Sequence, residues 1–92
     1  MFYVYLLRSQ SIPSQTYIGS TGDLKERLAA HNSGKSTHTN KFKPWQLIAY
    51  VAFRERAAAE QFERCLKTGS GRAFIKRHFL VLAMANGTSA AN

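Results

Sequence analysis

Phe2-Tyr3-Val4-Tyr5-Leu6-Leu7 is the run on which the reading of this 92-residue chain turns. Aromatic, aliphatic and branched side chains crowd onto six consecutive positions, which favours a strand. Successive strand side chains point to opposite faces, so Tyr3, Tyr5 and Leu7 share one face and Phe2, Val4 and Leu6 the other. No charge appears on either face before Arg8, and both are expected to be covered. Ser9-Gln10-Ser11-Ile12-Pro13-Ser14 is loop chemistry. A second strand, about Gln15 to Ser20, follows so closely that an antiparallel hairpin is the simplest connection. The hairpin makes neighbours of two tyrosine-bearing segments, Tyr3-Val4-Tyr5 and Tyr17-Ile18-Gly19.

Gly22 and Asp23 then open a helix expected to run to about Asn32, with Asp23 or Thr21 satisfying free amides and Gly34 ending the last turn. Its apolar stripe is only Leu24 and Leu28. At 100° per residue Arg27 and His31 fall beside that stripe and can look toward the sheet. Ser33 to Pro44 is polar and reads as a long basic surface loop. Trp45 to Phe53 alternates as a third strand. A second helix is expected from about Glu55 to Thr68, its apolar face made of Ala58, Ala59, Phe62, Cys65 and Leu66 and its stop at Gly69. Glu63 lies at the edge of that face, one turn after Ala59, whereas Glu60 points outward. Ser70-Gly71 begin a third helix through about Leu82, packing Phe74, Ile75 and Phe79. The expected organisation is a single α+β domain over 1–82, a small three-stranded antiparallel sheet flanked by about three helices, and a small-residue tail over 83–92.

Composition narrows the functional class. Lys and Arg number 13 against 5 acidic residues, a formal net charge of +8, which favours a polyanionic partner, with nucleic acid foremost. With 45% hydrophobic and 12% aromatic residues the chain can build a packed core. One cysteine, Cys65, allows no intramolecular disulfide and, with 3 histidines, no structural zinc site; it is read as a small core residue in a reducing cytoplasm. The run Phe2 to Leu7 is too short to cross a bilayer, so no membrane association is expected.

Tyr3-Val4-Tyr5, Tyr17-Ile18-Gly19, Arg27 with His31, and the helix from Ala59 to Lys67 carrying Glu63 stand in an order that strongly resembles the GIY-YIG endonuclease superfamily, in its small single-domain bacterial branch. His31-Asn32-Ser33-Gly34-Lys35-Ser36 and His38-Thr39 add to the likeness, which covers about Phe2 to Leu80. The resemblance implies a GIY-YIG nuclease-like fold and a divalent-metal-dependent DNA endonuclease with Tyr5, Tyr17, Arg27, His31 and Glu63 as catalytic residues; the small domain and the aromatics Phe42 and Trp45 beside a basic loop lean toward single-stranded or branched DNA, with duplex left open. By resemblance Tyr17 is the general base or proton relay and Tyr5 positions or activates the water.

Hydrolysis of a phosphodiester needs an activated oxygen nucleophile and neutralisation of charge on the phosphoryl and leaving oxygens. Arg27 offers a planar, permanently charged fork for phosphate. His31 titrates near neutrality and can accept a proton. Glu63 would hold one hard cation, Mg2+ or Mn2+, since five dispersed acidic residues cannot assemble a carboxylate-rich two-metal site. The alternative for Glu63 is an exposed i,i+4 partner for Lys67. Directly after the second tyrosine segment stand Ser20 and Thr21, where some DNA-repair members carry a lysine. Lys35, His38, Lys41, Lys43, Lys67 and Arg72 are the candidate nucleic-acid contacts, and Phe42 and Trp45 are either core anchors or stacking platforms for unpaired bases. The competing reading of the whole is a noncatalytic nucleic-acid binding module on the same scaffold. No protein partner is inferable.

Overall fold

A computed structural model describes residues 1–80. Its centre is an antiparallel sheet in the order β2-β1-β3, formed by β1 (Phe2–Ser9), β2 (Thr16–Thr21) and β3 (Trp45–Phe53). β1 is the middle strand, and both of its faces are covered. Val4 and Leu6 pack with Ile18, Ala59, Leu66 and Ile75 on one side. Tyr5 and Leu7 pack with Trp45, Tyr17, Leu24 and Leu28 on the other. The register sets Tyr5 opposite Gly19 on β2 and opposite Tyr50 on β3, with an irregularity between Leu6 and Leu7.

α1 (Leu24–Ser33) covers the Tyr5 face. The Asp23 carboxylate accepts from the Glu26 amide at 3.0 Å to cap its start. Gly34 ends it at φ 85, a left-handed backbone open to glycine without a Cβ penalty, and the Lys35 amide returns to the Ala30 carbonyl. α2 (Arg56–Leu66) and α3 (Gly69–Ile75) cover the Val4 face, and a wider turn, Lys76–Leu80, follows. Among the described residues no helix is long and apolar enough to cross a membrane.

Four local expectations are corrected. Cys65 is exposed, because the covered side of α2 runs through Ala59, Phe62 and Leu66 and position 65 is turned about 100° from 66. Gly69 does not stop α2. Instead Thr68 links two helices, its hydroxyl donating to the Cys65 carbonyl at 2.7 Å and accepting from the Gly71 amide at 3.1 Å. Gly71 permits this corner, since a Cβ there would run into the Cys65 carbonyl and lie 2.7 Å from Leu66 Cα. Phe74 is 49% exposed while Ile75 takes the core position. The segment Ser33 to Pro44 is not all surface: it holds a short 3-10 turn, Asn40–Phe42, and buries Thr39. The expected end of the third helix at Leu82 and the tail over 83–92 fall outside the described residues.

Candidate active site

Tyr5 is the point on which the candidate residues converge. It is 1% exposed, and its ring crosses over Gly19, its register partner. A Cβ on Gly19 would stand 2.5 Å from Tyr5 Oη, 2.7 Å from its Cζ and 3.0 Å from Tyr17 Cε2. The glycine two residues after Tyr17 is therefore the space in which the Tyr5 phenol lies. The Tyr17 ring is 6.2 Å from the Tyr5 ring and 4.8 Å from the His31 ring, centroid to centroid.

α1 delivers the next two groups. With Leu24 and Leu28 seating the helix on the sheet, Arg27 and His31 stand one turn apart on it, and His31 reaches Tyr5. The Tyr5 hydroxyl is 3.0 Å from His31 Nε2, and the Arg27 charge opposes the burial that raises the phenol. Arg27 is itself exposed and lines a cleft of about 310 Å³ with Ser20, Thr21, Arg56 and Glu60, open to an incoming anion. His31 is much deeper than a polar residue ending a helix: it is 2% exposed, and its Nδ1 lies 2.8 Å from Thr39 Oγ1.

Burial sets the protonation states. It pushes the Tyr5 phenol up to about 12, helped by Tyr17 and opposed by Arg27. It also pushes the His31 imidazole below its ordinary value of 6.5, and the Arg27 charge adds to the effect. At neutral pH the pair is thus a protonated phenol against a neutral imidazole.

Glu63 arrives from the other helical layer. Ser20 lies on the α2 face of β2, opposite in direction to Gly19, and donates its hydroxyl to Glu63 Oε1 at 2.6 Å. Lys67 donates to Oε2 at 2.8 Å. Burial alone would raise this carboxyl, but the hydrogen bonds from Lys67 and Ser20 and the charges of Lys67 and Arg64 outweigh it and hold it below its ordinary range. Glu63 is ionised, and its negative charge adds to the upward push on the Tyr5 phenol. An ionised oxygen donor beside a hydroxyl fits a hard divalent cation. Among the described residues no group of three or more His, Cys, Asp and Glu is assembled, so Glu63 would be the single carboxylate of such a site.

The six candidate nucleic-acid contacts divide into two sets. Lys35, His38, Lys41 and Lys43 are exposed on the segment between α1 and β3, with the Lys41 ammonium 5.6 Å above the centre of the Phe42 ring. Lys67 and Arg72 belong to the α2–α3 layer, where Lys67 neutralises Glu63 and Arg72 Nε donates to the Lys67 carbonyl at 3.2 Å. Trp45 is no stacking platform. It is 4% exposed, donates its indole N–H to the Thr39 carbonyl at 3.0 Å, and meets Phe42 edge to face.

Sequence reading missed Ser20 and Thr39 as partners of Glu63 and His31. Strand alternation could have placed Ser20 on the α2 face. Thr39 carried no such signal, since it sits eight residues past His31 in a segment without periodicity.

A family model described as the GIY-YIG catalytic domain matches residues 1–77. The structure-specific endonuclease subunit slx1 of Talaromyces stipitatus is 46% identical over 65 residues, covering 64% of this chain and 17% of that protein. The structure-specific endonuclease subunit SLX1 of Candida dubliniensis is 45% identical over 74 residues, covering 72% and 26%. The chain thus spans about a quarter or less of the curated relatives it matches. Both are named as subunits, a feature for which the sequence reading had no counterpart. A solution NMR structure of a UPF0213 protein from Bacillus halodurans matches with TM-score 0.50 at 28% identity, over 84% of each chain.

Proposed function

The chain belongs to the GIY-YIG family, and from that premise we propose that it is a divalent-metal-dependent DNA endonuclease acting on branched or single-stranded DNA. The observation that carries the reading is the buried Tyr5 hydroxyl 3.0 Å from a neutral imidazole, beside a second phenol, with the charges of Arg27 and Glu63 acting on it.

The proton step is assigned to Tyr5 with His31. Water approaching the phosphorus gives a proton to Tyr5 Oη as Oη gives its own to His31 Nε2, and the resulting hydroxide forms the new P–O bond while the ester oxygen departs. A phenol held at about 12 does not ionise alone at neutral pH, so the two transfers are concerted, with Arg27 stabilising charge that builds on the phenol and on the phosphate. The 3.0 Å bond to His31 supports Tyr5 in this role, where resemblance alone favoured Tyr17. Tyr17, packed against both rings, orients the water. A cation held by Glu63, Mg2+ or Mn2+, would supply positive charge beside the phosphoryl oxygens.

Branched or single-stranded DNA is proposed from the printed names of the relatives, which call them structure-specific. The exposed cations of the α1–β3 segment would track phosphates without reading bases. The test is cleavage of labelled single-stranded, duplex and branched DNA with magnesium, manganese or chelator, using wild type and Tyr17→Phe. Cation-dependent cutting that favours branched or single strands, slowed in Tyr17→Phe, is expected. Salt-sensitive binding without cutting of any substrate would favour the noncatalytic module.

A further inference from the structure

We infer that Thr39 is a positioning residue that fixes His31 in the tautomer whose Nε2 lone pair faces the Tyr5 hydroxyl. The inference rests on the proposed proton step, and it follows from counting protons along one buried chain of hydrogen bonds. Thr39 is 2% exposed, so its hydroxyl cannot fall back on water. That hydroxyl has one proton and two neighbours: the Ser36 carbonyl at 3.5 Å, which can only accept, and His31 Nδ1 at 2.8 Å. When the proton goes to Ser36, the oxygen must accept from Nδ1–H, and Nε2 is left with its lone pair. Tyr5 Oη then donates to Nε2, and every proton in the chain has an acceptor.

The opposite assignment fails on the same count. If Thr39 donated to Nδ1, Nε2–H would point at Tyr5 Oη, whose hydrogen-bond partner among the described residues is that same ring. The phenolic proton would then have no protein acceptor within hydrogen-bond distance, and an unmade bond of that kind costs about 1–3 kcal/mol. Two features keep Thr39 in place independently of its hydroxyl. Its carbonyl accepts from the Trp45 indole at 3.0 Å, and its amide donates to the Ser36 carbonyl at 3.2 Å. Loss of the hydroxyl therefore leaves the segment anchored and removes the bond that selects the tautomer.

The decisive experiment is 15N NMR of the His31 ring at neutral pH, joined to steady-state cleavage kinetics of Thr39→Val, which keeps the shape and loses the hydroxyl, and Thr39→Ser, which keeps the hydroxyl. In the wild type Nδ1 is expected to be protonated and Nε2 unprotonated. Thr39→Val is expected to raise the Nε2–H population and to lower kcat by about 10- to 100-fold, the usual scale for losing the partner that orients a functional histidine, with KM unchanged. Thr39→Ser is expected to restore both. A wild-type ring protonated at Nε2 would overturn the inference without reference to nuclease activity, and so would a Thr39→Val protein with wild-type tautomer and kcat.

Discussion

Gly19→Ala puts the geometry of the site to the test through stability. The added methyl would lie 2.5 Å from Tyr5 Oη and 2.7 Å from Cζ, whereas non-bonded carbon contacts rest at about 3.5–4.0 Å, so one side must give by about 1 Å. Tyr5 has nowhere to go: it is 1% exposed, enclosed with Leu7, Trp45, Leu24 and Leu28, and tied to His31 at 3.0 Å. Overpacking costs about 1–3 kcal/mol and a stranded buried hydrogen-bonding group about 1–3 kcal/mol. Against this, alanine in a strand recovers only about 0.5–1 kcal/mol of glycine's entropic cost. A net loss of about 1–5 kcal/mol is expected, which at a urea dependence of about 1 kcal/mol/M moves the unfolding midpoint down by roughly 1–5 M. Gly22→Ala is the matched control, since the nearest atom to its Cβ is Phe2 Cε1 at 4.0 Å, and its midpoint should hold within about 0.5 M. A Gly19→Ala midpoint as close to wild type as that control would refute the packing of Tyr5 over Gly19.

Other outcomes follow from the same contacts. His31 has a folded-state pKa below its unfolded value of 6.5, so the unfolded chain binds the proton first. Stability is therefore level above pH 6.5 and falls as pH drops from there toward the folded pKa, by at most about 1.4 kcal/mol per pH unit, and urea midpoints that stay flat from pH 7.5 to 5 would contradict this. Asn32 holds the Trp45 backbone at both its amide and its carbonyl, and Asn32→Ala, leaving both unpaired where β3 begins, should lose about 2–3 kcal/mol in the same titration. Asp23→Ala removes the cap of α1 and should cost about 1 kcal/mol, read as a lower melting temperature, with Thr21→Ala serving as comparison.

What the sequence disclosed and what it withheld divide along a physical line. The sheet, its hairpin and the cap of α1 were legible because period-2 alternation, Asp23 and Gly34 are local signals. Arg27 and His31 were legible as neighbours because helical spacing ties them to Leu24 and Leu28. The depth of His31 was not, because it depends on Thr39, held in place by the Trp45 indole across an irregular segment. Cys65 misled because an apolar residue next to Leu66 was counted into a face that the observed packing of Ala59 and Leu66 turns away from it. Glu63 was placed correctly beside the apolar stripe of α2, and its i,i+4 bond to Lys67 was anticipated. That Ser20 would meet it depended on how α2 docks on β2. Local periodicity, in short, positions backbone, whereas the hydrogen bonds that tune this site cross between elements.

Cleavage of labelled branched DNA by wild type and Glu63→Gln, each with saturating magnesium and with chelator, tests the central claim most directly. The substitution keeps the shape, removes the charge and turns one of the oxygens that accept from Ser20 and Lys67 into a donor. The wild type should cut with magnesium and stop in chelator, while Glu63→Gln should cut at least about 100-fold more slowly, the scale of losing one electrostatic stabiliser, yet bind the same DNA in chelator at least as tightly as wild type, because the Lys67 ammonium is released. Wild-type cutting that persists in chelator, or Glu63→Gln cutting at the wild-type rate, would contradict a metal-dependent site built on this carboxylate.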